Sequence, residues 1–245
     1  LSNVKEDETI LEIGSGIGSL TELLAETAGK IICVELDKRL SVIFKELFKE
    51  YLGSKIILLE EDAMKIDYSM VYDKFAISKV VSNLPYKIAA PLILKILLTA
   101  PQITKLYVTI QKDIAERLLA KKGDKNYSSY TVTASFLAGY RILFEVKKNC
   151  FTPVPNVDSV LVEVIKKSQD FFSDKDKPSN TNLSTEEIKE LFYFIDACFS
   201  HRRKKMINSI IDNGESFFID KIDILIKMLR GIGKDINARA EELDI

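Results

Sequence analysis

From residue 9 to about residue 164, short apolar runs alternate with stretches whose apolar positions recur at helical spacing. The runs at 9–13, 31–35, 56–59 and 79–82 are almost continuously apolar, as parallel strands covered on both faces must be. Further β-rich runs follow at 106–110, 141–146 and 160–165. Helical patterns fill intervals between them at 19–27, 38–51 and 88–99. Strand–helix alternation at this spacing predicts a doubly wound α/β sheet with right-handed crossovers. The last two runs have no helix between them, so an antiparallel, hairpin-like edge is expected to finish the sheet.

The pattern changes at residue 168. Residues 168–183 are polar, contain Pro178 and read as a linker between a first domain, 1–167, and a second, 184–245. Ser184 followed by Glu187 is a capping-box pattern that starts a helix. Ile188, Leu191, Phe192, Ile195 and Phe199 then recur at helical spacing and form one apolar stripe. Further helices are expected over 204–211 and 219–229, with Gly231 ending the last. The second domain is therefore small and all-helical.

At 245 residues, 47% hydrophobic and 29% charged, the chain is ample for one large domain with a small appendage and is not of disordered composition. No apolar run approaches the ~20 residues that span a bilayer, and no signal-peptide pattern opens the sequence. Cys33, Cys150 and Cys198 lie far apart without a CxxC pair, so neither a zinc site nor a disulfide framework follows. A cytoplasmic protein without a metal is expected. The single histidine, His201, excludes chemistry that needs a His base together with a His ligand. The net charge of −1 speaks weakly against nucleic-acid binding. Its distribution speaks otherwise: Arg202, Arg203, Lys204 and Lys205 are consecutive, in a stretch that reads as helical. A solvated helix face and a phosphate-binding face both fit that run. On a helix two or three of the four could face one way, with the others paired to acids such as Asp196.

Four loops carry candidate chemistry, each at the carboxyl end of an expected strand, where open α/β sheets place their ligands. Gly14, Gly16 and Gly18 follow the first strand as GxGxG and open a helix. Dinucleotide folds need GxGxxG to seat a pyrophosphate on the helix N-terminus. A ligand without phosphates, such as S-adenosylmethionine, needs only the open turn; a purely structural glycine turn fits as well. Glu35 ends the second strand, where an acid can accept the two ribose hydroxyls of an adenosine. Asp62 follows the third strand, placed to accept the adenine amino group or to cap a turn. Asn83-Leu84-Pro85-Tyr86 follows the fourth. An exocyclic adenine nitrogen is a poor nucleophile because its lone pair is delocalised into the ring. The Asn83 side-chain oxygen and the Leu84 carbonyl can accept both amine protons and hold that nitrogen pyramidal. Pro85 fixes the turn, and Tyr86 offers a face on which an extruded base stacks.

Taken in order, these motifs resemble the ribosomal RNA adenine N6,N6-dimethyltransferases of the small subunit. Phe151-Thr152-Pro153-Val154-Pro155-Asn156-Val157-Asp158-Ser159 is similar to the family's FxPxPxVDS segment, and Phe199 to Lys205 to its FxxRRK element. Residues 111–118 and 238–241 also resemble family elements, so the likeness covers nearly the whole chain. It implies a Rossmann-like class I S-adenosylmethionine methyltransferase sheet with a helical RNA-binding domain. Gly14, Gly16, Gly18, Glu35, Asp62 and Asn83 would contact the cofactor. Asn83, Leu84, Pro85 and Tyr86 would carry catalysis. Tyr86, Phe151, Arg117, Arg202 and Arg203 would contact RNA, with Phe151 either covering the second face of the flipped adenine or filling the core. The substrate implied is a pair of adjacent adenosines near the 3′ end of small-subunit rRNA, presented in a pre-30S particle, and the protein is expected to act as a monomer. Family members also place a basic GQxFL-like segment ahead of the first strand; the sequence given does not contain it, and no residue is assigned to its cofactor contacts. Four other readings remain. The sister group that methylates 23S rRNA and confers macrolide resistance carries NIPY, VNS and no RRK element. A non-catalytic ribosome assembly factor would have no use for Asn83–Tyr86 or Glu35. An NAD-dependent oxidoreductase is disfavoured by GxGxG, and a DNA N6-methyltransferase by the helical domain.

Overall fold

The computed structural model describes residues 2–167, 184–213, 216–219 and 221–243; the expected linker lies outside them. The described residues form two compact units. The first comprises 1–115 and 137–167, and holds a seven-stranded sheet in the order β3-β2-β1-β4-β5-β7-β6. Its strands are β1 Thr9–Ile13, β2 Lys30–Val34, β3 Ile56–Leu59, β4 Lys79–Asn83, β5 Lys105–Gln111, β6 Ala138–Val146 and β7 Ser159–Lys166. The first five are parallel, and β7 runs antiparallel to both β5 and β6. The expected antiparallel edge is present, with β7 inserted between β5 and β6.

The apolar runs became central strands because both faces are covered: β1, β2 and β4 are buried over four of their five residues. Helices α1 Ser19–Thr27, α2 Lys38–Leu47, α3 Tyr68–Phe75 and α4 Ala89–Thr99 connect them. Capping side chains set two of the starts. The Asp37 carboxylate accepts from the Arg39 N–H at the head of α2, and that of Asp67 from Ser69 and Met70 at the head of α3. The sheet reverses its winding between β1 and β4, so the crevice above their carboxyl ends is the switch point at which ligands bind in such folds. β1 and β4 pair directly only at Ile10 and Leu11. Beyond that the Ser82 hydroxyl satisfies the Ile13 backbone, donating to its C=O and accepting from its N–H. A side chain thus completes the ladder where the strands part and the crevice opens.

The second unit comprises Glu116–Phe136 and the described residues from 184 onward. The sequence-based boundary had assigned 116–136 to the first domain. They include the last three residues of α5 Lys112–Leu118 and most of α6 Ser129–Leu137, which carried no strong periodicity. Aromatic contacts explain the grouping: Tyr127 lies 5.9 Å from Phe199 and Phe136 lies 6.0 Å from Phe192, centroid to centroid. The Tyr127 hydroxyl also donates to the Leu243 carbonyl. The capping box is present at α7 Thr185–Phe199, with Ser184 and Glu187 bonded reciprocally. α8 is Met206–Asn213, and the helix expected over 219–229 is α10 Ile222–Gly231, preceded by the short α9 Ser216–Ile219. Ala197, Cys198, Met206, Ile210, Phe218, Leu229 and Ala240 form this unit's core. Residues 201–205 lie in the turn between α7 and α8 rather than in a helix. The expectation that the basic run faces alternate sides of a helix is therefore corrected.

Candidate active site

A cavity of about 1000 Å³ opens above β1, β2 and β4, lined by loops that follow those strands and β3 and by residues 151–155. Of the expected site residues, Gly14, Gly16, Glu35, Asp62, Asn83, Leu84, Pro85, Tyr86 and Phe151 all line it. Its size is at the upper end of what small-molecule sites occupy.

Gly14 has φ +75°, and a Cβ there would come within 2.8 Å of the Pro85 ring. The glycine is therefore required both by its backbone and by close approach of the Asn83–Tyr86 loop. Gly18 does something else. It is buried outside the cavity lining, and a Cβ would collide with the Phe48 ring at 2.1 Å. It lets α1 begin against the aromatic rings of Phe44 and Phe48.

Glu35 is nearly buried, and each of its carboxylate oxygens accepts a backbone N–H at 2.8 Å, one from Gly16 and one from Asp37. The acid thereby ties the glycine loop to the start of α2. A carboxylate offers about four lone-pair sites, so both oxygens retain capacity for the hydroxyls of a ribose. Asp62 uses one oxygen to accept the Met64 N–H at 2.9 Å. The expected turn cap coexists with a second oxygen that makes no hydrogen bond among the described residues. The turn is braced from below: the Tyr68 hydroxyl donates to the Ala63 carbonyl, and Lys95 donates to that of Met64 while lying over the Tyr68 ring. These donors and acceptors, with the apolar side chains of Ile13, Val34 and Leu36, suit an adenosine-bearing ligand without phosphates. Among the described residues, the one basic side chain that lines the cavity is Lys87, on the Asn83–Tyr86 side.

Across the cavity Asn83 ends β4 opposite Thr109. It is exposed, and among the described residues its side-chain amide makes no hydrogen bond. The Leu84 side chain is buried and anchors the loop, and its N–H donates to the Thr109 carbonyl. The Tyr86 hydroxyl shares a hydrogen bond of 2.8 Å with the Ser159 hydroxyl. Its ring stands at 75° to that of Phe151, with centroids 6.4 Å apart. Phe151 is half-buried at the cavity edge, so the core reading does not apply to it.

In the second unit Arg117 lies over the Tyr130 ring at 5.1 Å. The Arg202 guanidinium pairs with Glu241 at 2.7 Å and donates to the carbonyls of Asp124 and Lys125. It ties the α5–α6 loop to the chain end. Lys204 pairs with Asp212 and Lys205 donates to Asn237. Asp196, expected as a partner, takes none of these pairs. Arg203 is exposed and makes no ion pair among the described residues.

Sequence reasoning missed Glu12, Ser82, Lys95 and Ser159. Glu12 is 2% exposed beneath the glycine loop and accepts the Thr21 hydroxyl at 2.6 Å, with the Cys33 thiol 3.7 Å away. Burial pushes its carboxyl up to about 7, against which the Thr21 bond acts. A charged residue inside an apolar strand immediately before GxGxG was the available signal.

A family model described as Ribosomal RNA adenine dimethylase matches residues 1–237. The chain is 32% identical over 251 residues to a protein of Geobacillus thermodenitrificans named Ribosomal RNA small subunit methyltransferase A, covering 100% of this chain and 80% of that one. To the protein of that name from Fusobacterium nucleatum it is 33% identical, covering 100% and 85%. Among solved structures, a dimethyladenosine transferase from Plasmodium falciparum superimposes with a TM-score of 0.75 at 26% identity, covering 99% of this chain and 88% of that one. The 23S rRNA methyltransferase ErmE gives 0.58 at 21% identity, covering 98% and 90%, a likeness of fold alone. The chain belongs to the ribosomal RNA adenine dimethylase family.

Proposed function

We propose that this chain transfers methyl groups from S-adenosylmethionine to the N6 amines of two adjacent adenosines near the 3′ end of small-subunit rRNA. It acts as a cytoplasmic monomer on a pre-30S particle. The observation that carries this reading is the exposed, unbonded Asn83 amide facing a cavity whose other wall is organised by Glu35. S-adenosylmethionine supplies an electrophilic methyl on a sulfonium. Glu35 accepts the ribose hydroxyls, and Asp62 accepts the adenine amine of the cofactor. Asn83 Oδ1 and the Leu84 carbonyl accept the two protons of the target amine and turn its lone pair towards the cofactor side. A donor or acceptor aimed at changing charge is typically worth 10²–10³-fold in rate. Tyr86 stacks on the extruded base, while Phe151, standing edge-on to Tyr86, closes the outer rim of the slot. Arg117 and Arg203 meet phosphates.

The choice of small-subunit over large-subunit RNA rests on Asn83-Leu84-Pro85-Tyr86, Val157-Asp158-Ser159 and the Arg202–Lys205 run, together with the names of the relatives. Primer extension across the small-subunit 3′ end tests it, because a dimethylated adenine blocks reverse transcription. Stops at two adjacent adenosines are expected. Stops confined to large-subunit RNA would replace the substrate. RNA binding without stops would make the chain a non-catalytic assembly factor.

A further inference from the structure

Ser159 and Asp158 take no part in the chemistry above, yet their side chains bond to the two aromatic walls of the cavity or to the turn that carries one of them. Ser159 is fully buried and opens β7, where it pairs with Gln111 of β5 on one side and Val146 of β6 on the other. Held by ladders on both flanks, its hydroxyl is a fixed point, and it meets the Tyr86 hydroxyl at 2.8 Å. The phenol could otherwise swing about its side-chain torsions, since the ring is only half-buried. Asp158 does the equivalent for the other wall. One carboxylate oxygen accepts the Lys148 N–H at 2.9 Å and the other pairs with Lys147 at 3.0 Å. Lys148 heads the single 3-10 turn Lys148–Cys150, and its carbonyl accepts the Phe151 N–H at 3.1 Å. The Asp158 carbonyl in turn accepts the Lys112 N–H, tying the dipeptide to the end of β5.

We propose that Asp158 and Ser159 are positioning residues that set the angle between the Tyr86 and Phe151 rings, Ser159 through the tyrosine hydroxyl and Asp158 through the Lys148 turn. The inference rests on the reading of Tyr86 and Phe151 as the walls of the base slot. It explains why the VDS tripeptide accompanies the Asn83–Tyr86 loop, which lies 73 residues away in sequence at the Tyr86–Ser159 bond. The hydrogen bond contributes by orienting a ring rather than by touching substrate, so its loss costs the fraction of time the ring is misaligned. For one neutral hydrogen bond that is about 3- to 10-fold.

The test uses the full chain, S-adenosylmethionine and an RNA fragment of the small-subunit 3′ end, with single-turnover rates at saturating RNA. Ser159→Ala and Tyr86→Phe each remove one end of the same bond. Each is expected to slow methyl transfer about 3- to 10-fold with cofactor affinity unchanged, and the double variant is expected to be no slower than either. Independent losses that multiply in the double variant overturn the inference, because the serine would then act through packing. Should Ser159→Ala fail to fold, Tyr86→Phe alone decides: a wild-type rate overturns it. Asp158→Ala is expected to slow transfer, and Asp158→Asn to restore the rate by keeping an oxygen for the Lys148 N–H. An Asn variant as slow as Ala overturns the role of that bond. Tyr86→Ala separates this failure from failure of the site reading. If it leaves methylation intact, Tyr86 is no wall at all; if it abolishes methylation while Ser159→Ala and Tyr86→Phe are silent, only the positioning inference falls.

Discussion

On the glycine-loop side of the cleft, Glu35 gives one carboxylate oxygen to each of two backbone N–H groups, and Asp62 gives one of its own to a turn. On the facing side the Asn83 amide is exposed and bonded to nothing among the described residues. Groups of the first kind are aligned by the fold before any ligand arrives, so little ordering entropy remains for binding to overcome. A group of the second kind loses no internal bond when it accepts the protons of an amine, and it contributes mainly when charge shifts on that amine. The difference separates holding a cofactor from acting on a substrate. It also predicts which kinetic quantity each residue controls.

The largest expected effect is therefore on rate at the free amide. Asn83→Ala is expected to lower turnover by about 10²–10³-fold, with a much smaller change in cofactor affinity. Asn83→Asp, which keeps the acceptor oxygen, should recover part of the loss. A variant whose defect lies wholly in cofactor binding would break the comparison, since Asn83 would then belong to the first kind.

Beneath the organised side sits Glu12, and pH tests how much the glycine loop depends on it. The carboxyl is raised from 4.5 to about 7 in the folded protein. Below about 4.5 it is neutral folded and unfolded alike. Between 4.5 and 7 unfolding releases a proton, so stability falls as pH rises; above about 7 the buried charge is present in full. The fall across that window is of order 3 kcal/mol. Urea unfolding of Glu12→Gln against wild type should show this slope flattened, with the variant the more stable at pH 8. Parallel curves would mean that Glu12 is charged, or solvated, throughout.

Glu35→Ala is expected to weaken S-adenosylmethionine by about 1.5–3 kcal/mol, the usual worth of bonds to a charged group, and to leave the rate at saturating cofactor nearly unchanged. Titration calorimetry measures the first and single-turnover kinetics the second. A rate loss that survives saturation would show that the glycine loop shifts when its tie to α2 is cut.

The sheet and the four loops above it were legible because their residues announce themselves. Continuous apolar runs can only be covered strands, and Gly14, Glu35, Asp62 and Asn83 each follow one of them. The packing at Gly18 was not legible, because a glycine that admits an aromatic ring and one that admits a ligand look identical in sequence; only the position of Phe48 reveals it. Glu12 and Ser159 were missed for the opposite reason. Their roles rest on partners 9 and 73 residues away: a charge inside an apolar strand flags Glu12, but no local pattern names Thr21 or Tyr86 as the partner. α3 and α5 went unassigned because they are short, and α6 because it is weakly amphipathic, so that packing rather than periodicity makes it helical.

The same contrast between engaged and free groups recurs in the basic run of the helical unit, where it was least visible from sequence. Arg202 is bound to Glu241 and to two carbonyls of the α5–α6 loop, whereas Arg203 beside it is exposed without an ion pair among the described residues. Four adjacent cations in a sequence are equivalent; in a turn they are not, because each points towards a different neighbour. Each phosphate contact releases condensed counterions, so log K varies with log salt by roughly −0.7 to −0.9 per contact. Arg203→Ala should therefore flatten the salt dependence of RNA affinity by about one unit while leaving the melting temperature alone. Arg202→Ala should do the reverse, lowering the melting temperature through the lost tie and changing the slope little. RNA titrations at four salt concentrations, paired with thermal melts of both variants, distinguish the two. Equal slopes for Arg203→Ala and wild type would make that side chain a solvated one and move the RNA footprint to Arg117, Lys121 and Lys122.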